Sequence, residues 1–137
     1  NLYFVNLYCA EQYPWRLGEP SPREERAYNI ALPPEIDVGT YNESLEKSLG
    51  DVLEKIGEVP PLVLISAGFD TAKGDKRYLG SQGFNFMSED YRALSYTIKK
   101  SFPKEGRPKF FSVLEGGYNL RELGFRVAHY LEGFAVL

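Results

Sequence analysis

An α/β fold with a mainly parallel, doubly wound sheet is what this sequence predicts. Strand-like apolar runs alternate with stretches of helical periodicity along the chain, the order expected when helices cover both faces of a parallel sheet. Residues 62–66 form an unbroken apolar run rather than an alternating one, which is how a strand buried on both faces reads, and residues 110–114 read as a further buried strand. Both end on glycine-rich exits that carry a reactive side chain. In open α/β sheets ligands bind just beyond the carboxyl ends of the strands.

The elements follow in order. Residues 2–8, rich in aromatic and branched side chains, predict a buried strand, and residues 11–25, with three prolines, a glycine and many charges, predict a long loop. Tyr28 to Leu32 reads as a short strand or extended segment, stopped by Pro33-Pro34. Tyr41, Leu45, Leu49, Val52, Leu53 and Ile56 recur at helical spacing, with Gly57 as the stop. Pro60-Pro61 leads into the central strand at 62–66, and residues 68–83 form a glycine-rich loop. Ser88 is the expected N-cap of a helix to about Lys100, with Glu89 and Asp90 complementing the dipole in its first turn. After Pro108 comes the strand at 110–114, ended by Gly116-Gly117. A last helix is expected to bury Leu120, Leu123, Val127, Leu131 and Phe134. Three strong strands make a thin sheet whose edges need further chain to cover them.

Composition bounds the function classes. Hydrophobic residues are 43% and charged residues 26% of the 137, a globular balance. A net charge of -3 gives no basic stripe for direct nucleic-acid binding, and no apolar run approaches the roughly 20 residues that span a bilayer. A single cysteine, Cys9, allows no internal disulfide and fits a reducing, intracellular compartment, cytoplasm or nucleus. The first residue is Asn1 rather than Met, so a longer parent or a processed terminus is expected.

The first exit reads Ser66-Ala67-Gly68-Phe69-Asp70, then Gly74-Asp75 and Leu79-Gly80; the second reads Leu114-Glu115-Gly116-Gly117-Tyr118-Asn119. Taken singly, each has an ordinary explanation. An aspartate after a strand serves more often in a turn or cap than as a metal ligand, and Gly-Gly-Tyr more often as a turn with an anchoring aromatic. Glu115 reads as a buried hydrogen-bonding residue, and His129, far from both exits, as a surface or packing residue. Cys9 has no histidine at a spacing that suggests a nucleophile. No phosphate-binding loop, HExxH or CxxC pair occurs.

Together the two exits change the reading. Ala-Gly-Phe-Asp-x-x-x-Gly-Asp with Leu-Gly, followed a helix and a strand later by Leu-Glu-Gly-Gly-Tyr-Asn, resembles the end of the catalytic domain of zinc-dependent histone deacetylases and acetylpolyamine amidohydrolases. The Glu-Gly-Gly-Tyr form is similar to the class II and polyamine-deacetylase branch. Upstream, residues 4–14 and the segment Asn29-Ile30-Ala31-Leu32-Pro33 resemble the same family, with Tyr8 standing where a histidine is common. The resemblance covers nearly all of residues 1–137 as the C-terminal part of a single domain of the arginase/deacetylase-like α/β fold.

The resemblance implies roles for five residues. Asp70 matches the second aspartate ligand of a catalytic Zn2+, and Tyr118 the phenol that hydrogen-bonds the oxygen of the tetrahedral intermediate. Gly116 and Gly117 match glycines beside the acyl-lysine channel, and Leu79 an apolar residue near its mouth. Asp75 is expected to brace the turn at Gly74. The family's other zinc ligands and its tandem histidines would lie upstream of Asn1, so the chain is expected to need the remainder of the catalytic domain and to be inactive alone. The implied substrate is an acetylated protein or a polyamine. A competing expectation is a non-catalytic α/β module that binds a partner through the 68–83 loop.

Overall fold

The structure, a computed structural model, describes residues 2–10, 26–75 and 83–136. The expected loop at 11–25, and Leu79 with Gly80, lie outside the described residues. The elements are β1 (Phe4–Cys9), β2 (Ala27–Leu32), α1 (Val38–Ile56), β3 (Leu62–Gly68), α2 (Asp90–Lys100), β4 (Lys109–Glu115) and α3 (Leu120–Ala135). The alternation expected of a parallel α/β fold is present, and the described ladders are parallel.

The helices start and stop for identifiable reasons. At the head of α1 the Asp37 carboxylate accepts from the Thr40 N–H at 3.0 Å, and Gly57 ends the helix in the left-handed region. For α2 the expected cap at Ser88 is corrected. The helix begins at Asp90, and the residue ahead of it, Glu89, makes no side-chain cap bond. Instead the Asp90 carboxylate reaches back to the Met87 N–H at 2.8 Å, which ties the first turn to the chain that leads into it.

The strands form two parallel pairs among the described residues, β1 with β2 and β3 with β4. One apolar core serves both, joining Cys9 and Leu32 to Ala67, Phe69, Ala72, Phe84, Phe86, Tyr91 and Tyr130. Helix α3 covers one face of the β3–β4 pair: Phe110 meets Phe134 with ring centroids 5.1 Å apart, and the hydroxyls of Ser112 and Tyr130 lie 2.7 Å apart.

Two-sided burial of β3 and β4 is not what the structure has. Leu64 and its register partner Phe111 are 65% and 59% exposed, with Leu62 and Val113 beside them about half exposed. Side chains alternate between the faces of a strand, so a single bare face explains these four residues. The expected face of α3 also needs correcting. Leu123, Val127 and Phe134 pack on the core, but Leu120 and Leu131 are exposed, and Arg126 and Tyr130 are buried in their place. The helix is turned so that Tyr130 meets Ser112 and Arg126 meets the loop after β3.

Candidate functional site

Strands β3 and β4 run parallel with Gly68 opposite Glu115, so the two exits leave the same edge of the pair. The Asp70 carboxylate turns toward the second exit. A methyl group at Gly116 would lie 2.8 Å from Asp70 Cγ and within 3.0 Å of both its oxygens, and one at Gly68 would lie 3.2 Å from Oδ1. The carboxylate therefore rests in a cradle that only glycine leaves open. Gly116 also has φ 71°, a conformation that L residues with a Cβ rarely adopt. Gly117 follows at φ 94°, where a methyl would overlap Leu123 and Phe69. Tyr118 comes next, 60% exposed. Asp70 and Gly116 are thus brought together, with Gly117 and Tyr118 next along the chain.

The loop that carries Asp70 is held on both sides. Phe69 and Ala72 are buried, and the Phe69 ring packs on Tyr91 and Tyr130 with centroids 4.9 and 5.7 Å away. The Tyr91 hydroxyl donates to the Phe69 carbonyl at 3.1 Å and lies 2.8 Å from Thr71 Oγ1. Burial pushes that phenol up to about 12, opposed in part by the hydrogen bond with Thr71 and by the charge of Arg126. Main-chain bonds from Phe86 N–H to the Thr71 carbonyl and from Lys73 N–H to the Phe86 carbonyl tie the loop to residues 84–86. A ligand group seated on locked rotamers and paired backbone keeps its geometry better than one on an unsupported loop.

The Asp75 side chain braces the second exit rather than the turn at Gly74. The Asp75 N–H donates to the Ala72 carbonyl at 3.2 Å, but its carboxylate, 0% exposed, pairs with Arg126 at 2.6 Å. The same carboxylate accepts from the N–H of Tyr118 at 2.9 and 3.2 Å and from that of Asn119 at 3.1 Å. Arg126, 2% exposed, also reaches the carbonyls of Phe69 and Lys73, each at 3.4 Å. Sequence reasoning missed Arg126. The available signal was a charged residue inside the apolar stripe of α3, between Leu123 and Tyr130.

Glu115 is exposed at the end of β4 rather than buried, and the other singled-out residues lie elsewhere. His129 is 3.1 Å from the Glu132 carboxylate on α3, and Cys9 is buried at the end of β1. A cleft of about 510 Å³ between Lys99, Arg107, Phe110, Tyr130 and Phe134 opens near the amino-terminal half of β4, away from both exits. No three His, Cys, Asp or Glu side chains gather around one point among the described residues. Catalytic zinc takes three protein ligands. Asp70 has the chemistry of one of them, and the described residues do not by themselves complete such a site. No helix among them is long and apolar enough to cross a membrane.

Comparison with known proteins bears on the fold and the family. The type-2 histone deacetylase 1 of Dictyostelium discoideum is 28% identical over 96 residues, which is 69% of this chain and 6% of that protein. Type-2 histone deacetylase 2 of the same organism is 36% identical over 63 residues, 46% of this chain and 4% of that protein. The crystal structure of acetylpolyamine aminohydrolase from Burkholderia pseudomallei superposes with a TM-score of 0.75 at 20% identity, covering 98% of this chain and 38% of that one. The fold is shared, and the chain spans well under half the length of each of these proteins. The histone deacetylase domain matches residues 1–134, and the chain belongs to that family.

Proposed function

We propose that residues 1–137 form the C-terminal part of the catalytic domain of a zinc-dependent amide hydrolase that removes an acetyl or similar acyl group from lysine or a polyamine. The observation that carries this reading is the Asp70 carboxylate seated against Gly116, two residues before Tyr118, in a deacetylase-family chain. On this reading Asp70 supplies one zinc ligand and the remainder of the domain supplies the others. Bound zinc contributes an acidified water and a polarised carbonyl.

The chain's own residues have two tasks. Gly116 and Gly117 let backbone run close to the acyl group. Tyr118 donates its phenolic hydrogen to the amide oxygen as negative charge develops there, without needing to ionise. An acetylated protein or polyamine substrate, the rest of the domain as structural partner, and a location in cytoplasm or nucleus belong to the same reading.

The test is steady-state kinetics on the complete catalytic domain, with acetyl-lysine peptide and acetylpolyamine as substrates and metal content measured in parallel. Tyr118→Phe should lower kcat roughly a hundredfold, the size of losing one oxyanion donor, with KM nearly unchanged and zinc retained. Such a pattern marks an interaction made in the transition state. Asp70→Ala should lose zinc and activity together. Near-normal kcat for Tyr118→Phe would make the phenol an anchor and remove the catalytic claim.

A further inference from the structure

We propose that Asp75 and Arg126 are positioning residues for the Tyr118 hydroxyl, a buried ion pair that fixes the main chain from which the phenol projects. The inference rests on the reading of Tyr118 as hydrogen-bond donor to the amide oxygen.

Four observations carry it. Tyr118 is 60% exposed, so packing of its own ring holds it only in part. Its main chain, by contrast, is held: the Asp75 carboxylate accepts from both the Tyr118 and the Asn119 N–H. Asn119, the residue ahead of α3, makes no side-chain cap bond, and the Asp75 charge sits at that helix start, where an anion is favoured. Lastly, Arg126 joins Asp75 to the carbonyls of Phe69 and Lys73, on either side of Asp70. One guanidinium thereby sets the spacing between the loop of the carboxylate ligand and the loop of the phenol.

The energetics favour a positioning role over a merely cohesive one. Burying two charges is costly, and an apolar pair of similar volume often stabilises a fold as well or better. What an apolar pair cannot do is accept two main-chain N–H groups while gripping the facing loop. The planar fork of arginine suits that task, because it presents several donors in fixed geometry. A displacement of about 1 Å in a catalytic group can lower the rate on the order of a hundredfold.

The experiment is a double-mutant cycle in the zinc-loaded complete catalytic domain, combining Asp75→Asn with Tyr118→Phe. Asparagine keeps the size but loses the charge that pairs with Arg126. Asp75→Asn alone should lower kcat roughly tenfold or more, with KM within about threefold and zinc content unchanged. In the Tyr118→Phe background the same change should cost less than about threefold, because residues acting through one group are not additive. Additive losses, or a silent Asp75→Asn beside a damaging Tyr118→Phe, would overturn the positioning role while leaving the catalytic phenol standing. A silent Tyr118→Phe overturns both, and is recognised by that single variant. Should Asp75→Asn fail to fold, Arg126→Lys repeats the cycle: it keeps the charge and loses the fork. The same non-additive pattern is expected, and additivity there also rejects the proposal.

Discussion

A methyl group at Gly116 would meet two obstacles, and they are separable. The residue sits at φ 71°, where an L side chain costs roughly 1–2 kcal/mol, and the methyl would press on the Asp70 carboxylate. Gly106 has nearly the same backbone, φ 68°, with nothing within 4 Å of its virtual methyl. Gly106→Ala should therefore lose about 1–2 kcal/mol of stability and keep its activity. Gly116→Ala should lose more than that, together with zinc and turnover, because the carboxylate must move. Urea unfolding and metal content of the two variants in the complete domain decide this. Equal penalties and equal activities would mean that the cradle does not hold Asp70 in place. At this scale the sequence was informative about residue type and silent about partners. Asp75 was legible as structural, but its bonds cross to Tyr118, Asn119 and Arg126, and no local spacing encodes a contact between residues so far apart along the chain.

Element by element, periodicity located what local forces decide. The stop of α1 at Gly57 and the extent of β3 and β4 follow from a left-handed C-cap and from apolar runs bounded by proline and glycine, all written within a few neighbouring residues. The buried face of α3 depended on which groups lay across from it, and there the expectation failed; the cap of α2 failed within a single turn, where Asp90 rather than Ser88 makes the side-chain bond. Helix α3 illustrates why. Its contact with α2 is set by Gly133, where an added methyl would overlap Ser95 Oγ and the Arg92 carbonyl. The glycine lets the helices approach until the Ser95 hydroxyl, bonded back to the Tyr91 carbonyl, is fully buried. Gly133→Ala should accordingly destabilise by about 1–3 kcal/mol, the usual cost of overpacking. Gly124, on the same helix, has nothing within 4 Å, and Gly124→Ala should stabilise by up to about 1 kcal/mol through helix propensity alone. Opposite signs in urea midpoints are the expected result. A destabilising Gly124→Ala of similar size would show that propensity, not the α2–α3 contact, had been misjudged.

For the molecule as a whole, the informative mismatch is between sequence pattern and burial. The run at 62–66 reads as a strand covered on both sides and that at 110–114 as a buried strand, yet the face formed by Leu62, Leu64, Phe111 and Val113 is bare, and among the described residues β1–β2 and β3–β4 do not join. An exposed parallel pair with unpaired edges is a template for association, and a contiguous apolar patch marks an interaction site. On the proposed reading, that face and those edges are where the remainder of the catalytic domain packs, which is why the sequence spends leucine and phenylalanine there. Residues 1–137 expressed alone should then bind a hydrophobic dye, self-associate, retain well under one equivalent of zinc after dialysis and show no turnover of acetyl-lysine peptide. On that reading Asp70 supplies one ligand where catalytic zinc takes three, so the metal result follows from the donor count and the association result from the bare face. Adding the remainder of the domain should quench the dye signal, raise zinc to one equivalent and restore activity in the same titration. A monomeric, dye-silent chain that holds one zinc by itself would show that the missing ligands and the missing cover both lie within these 137 residues.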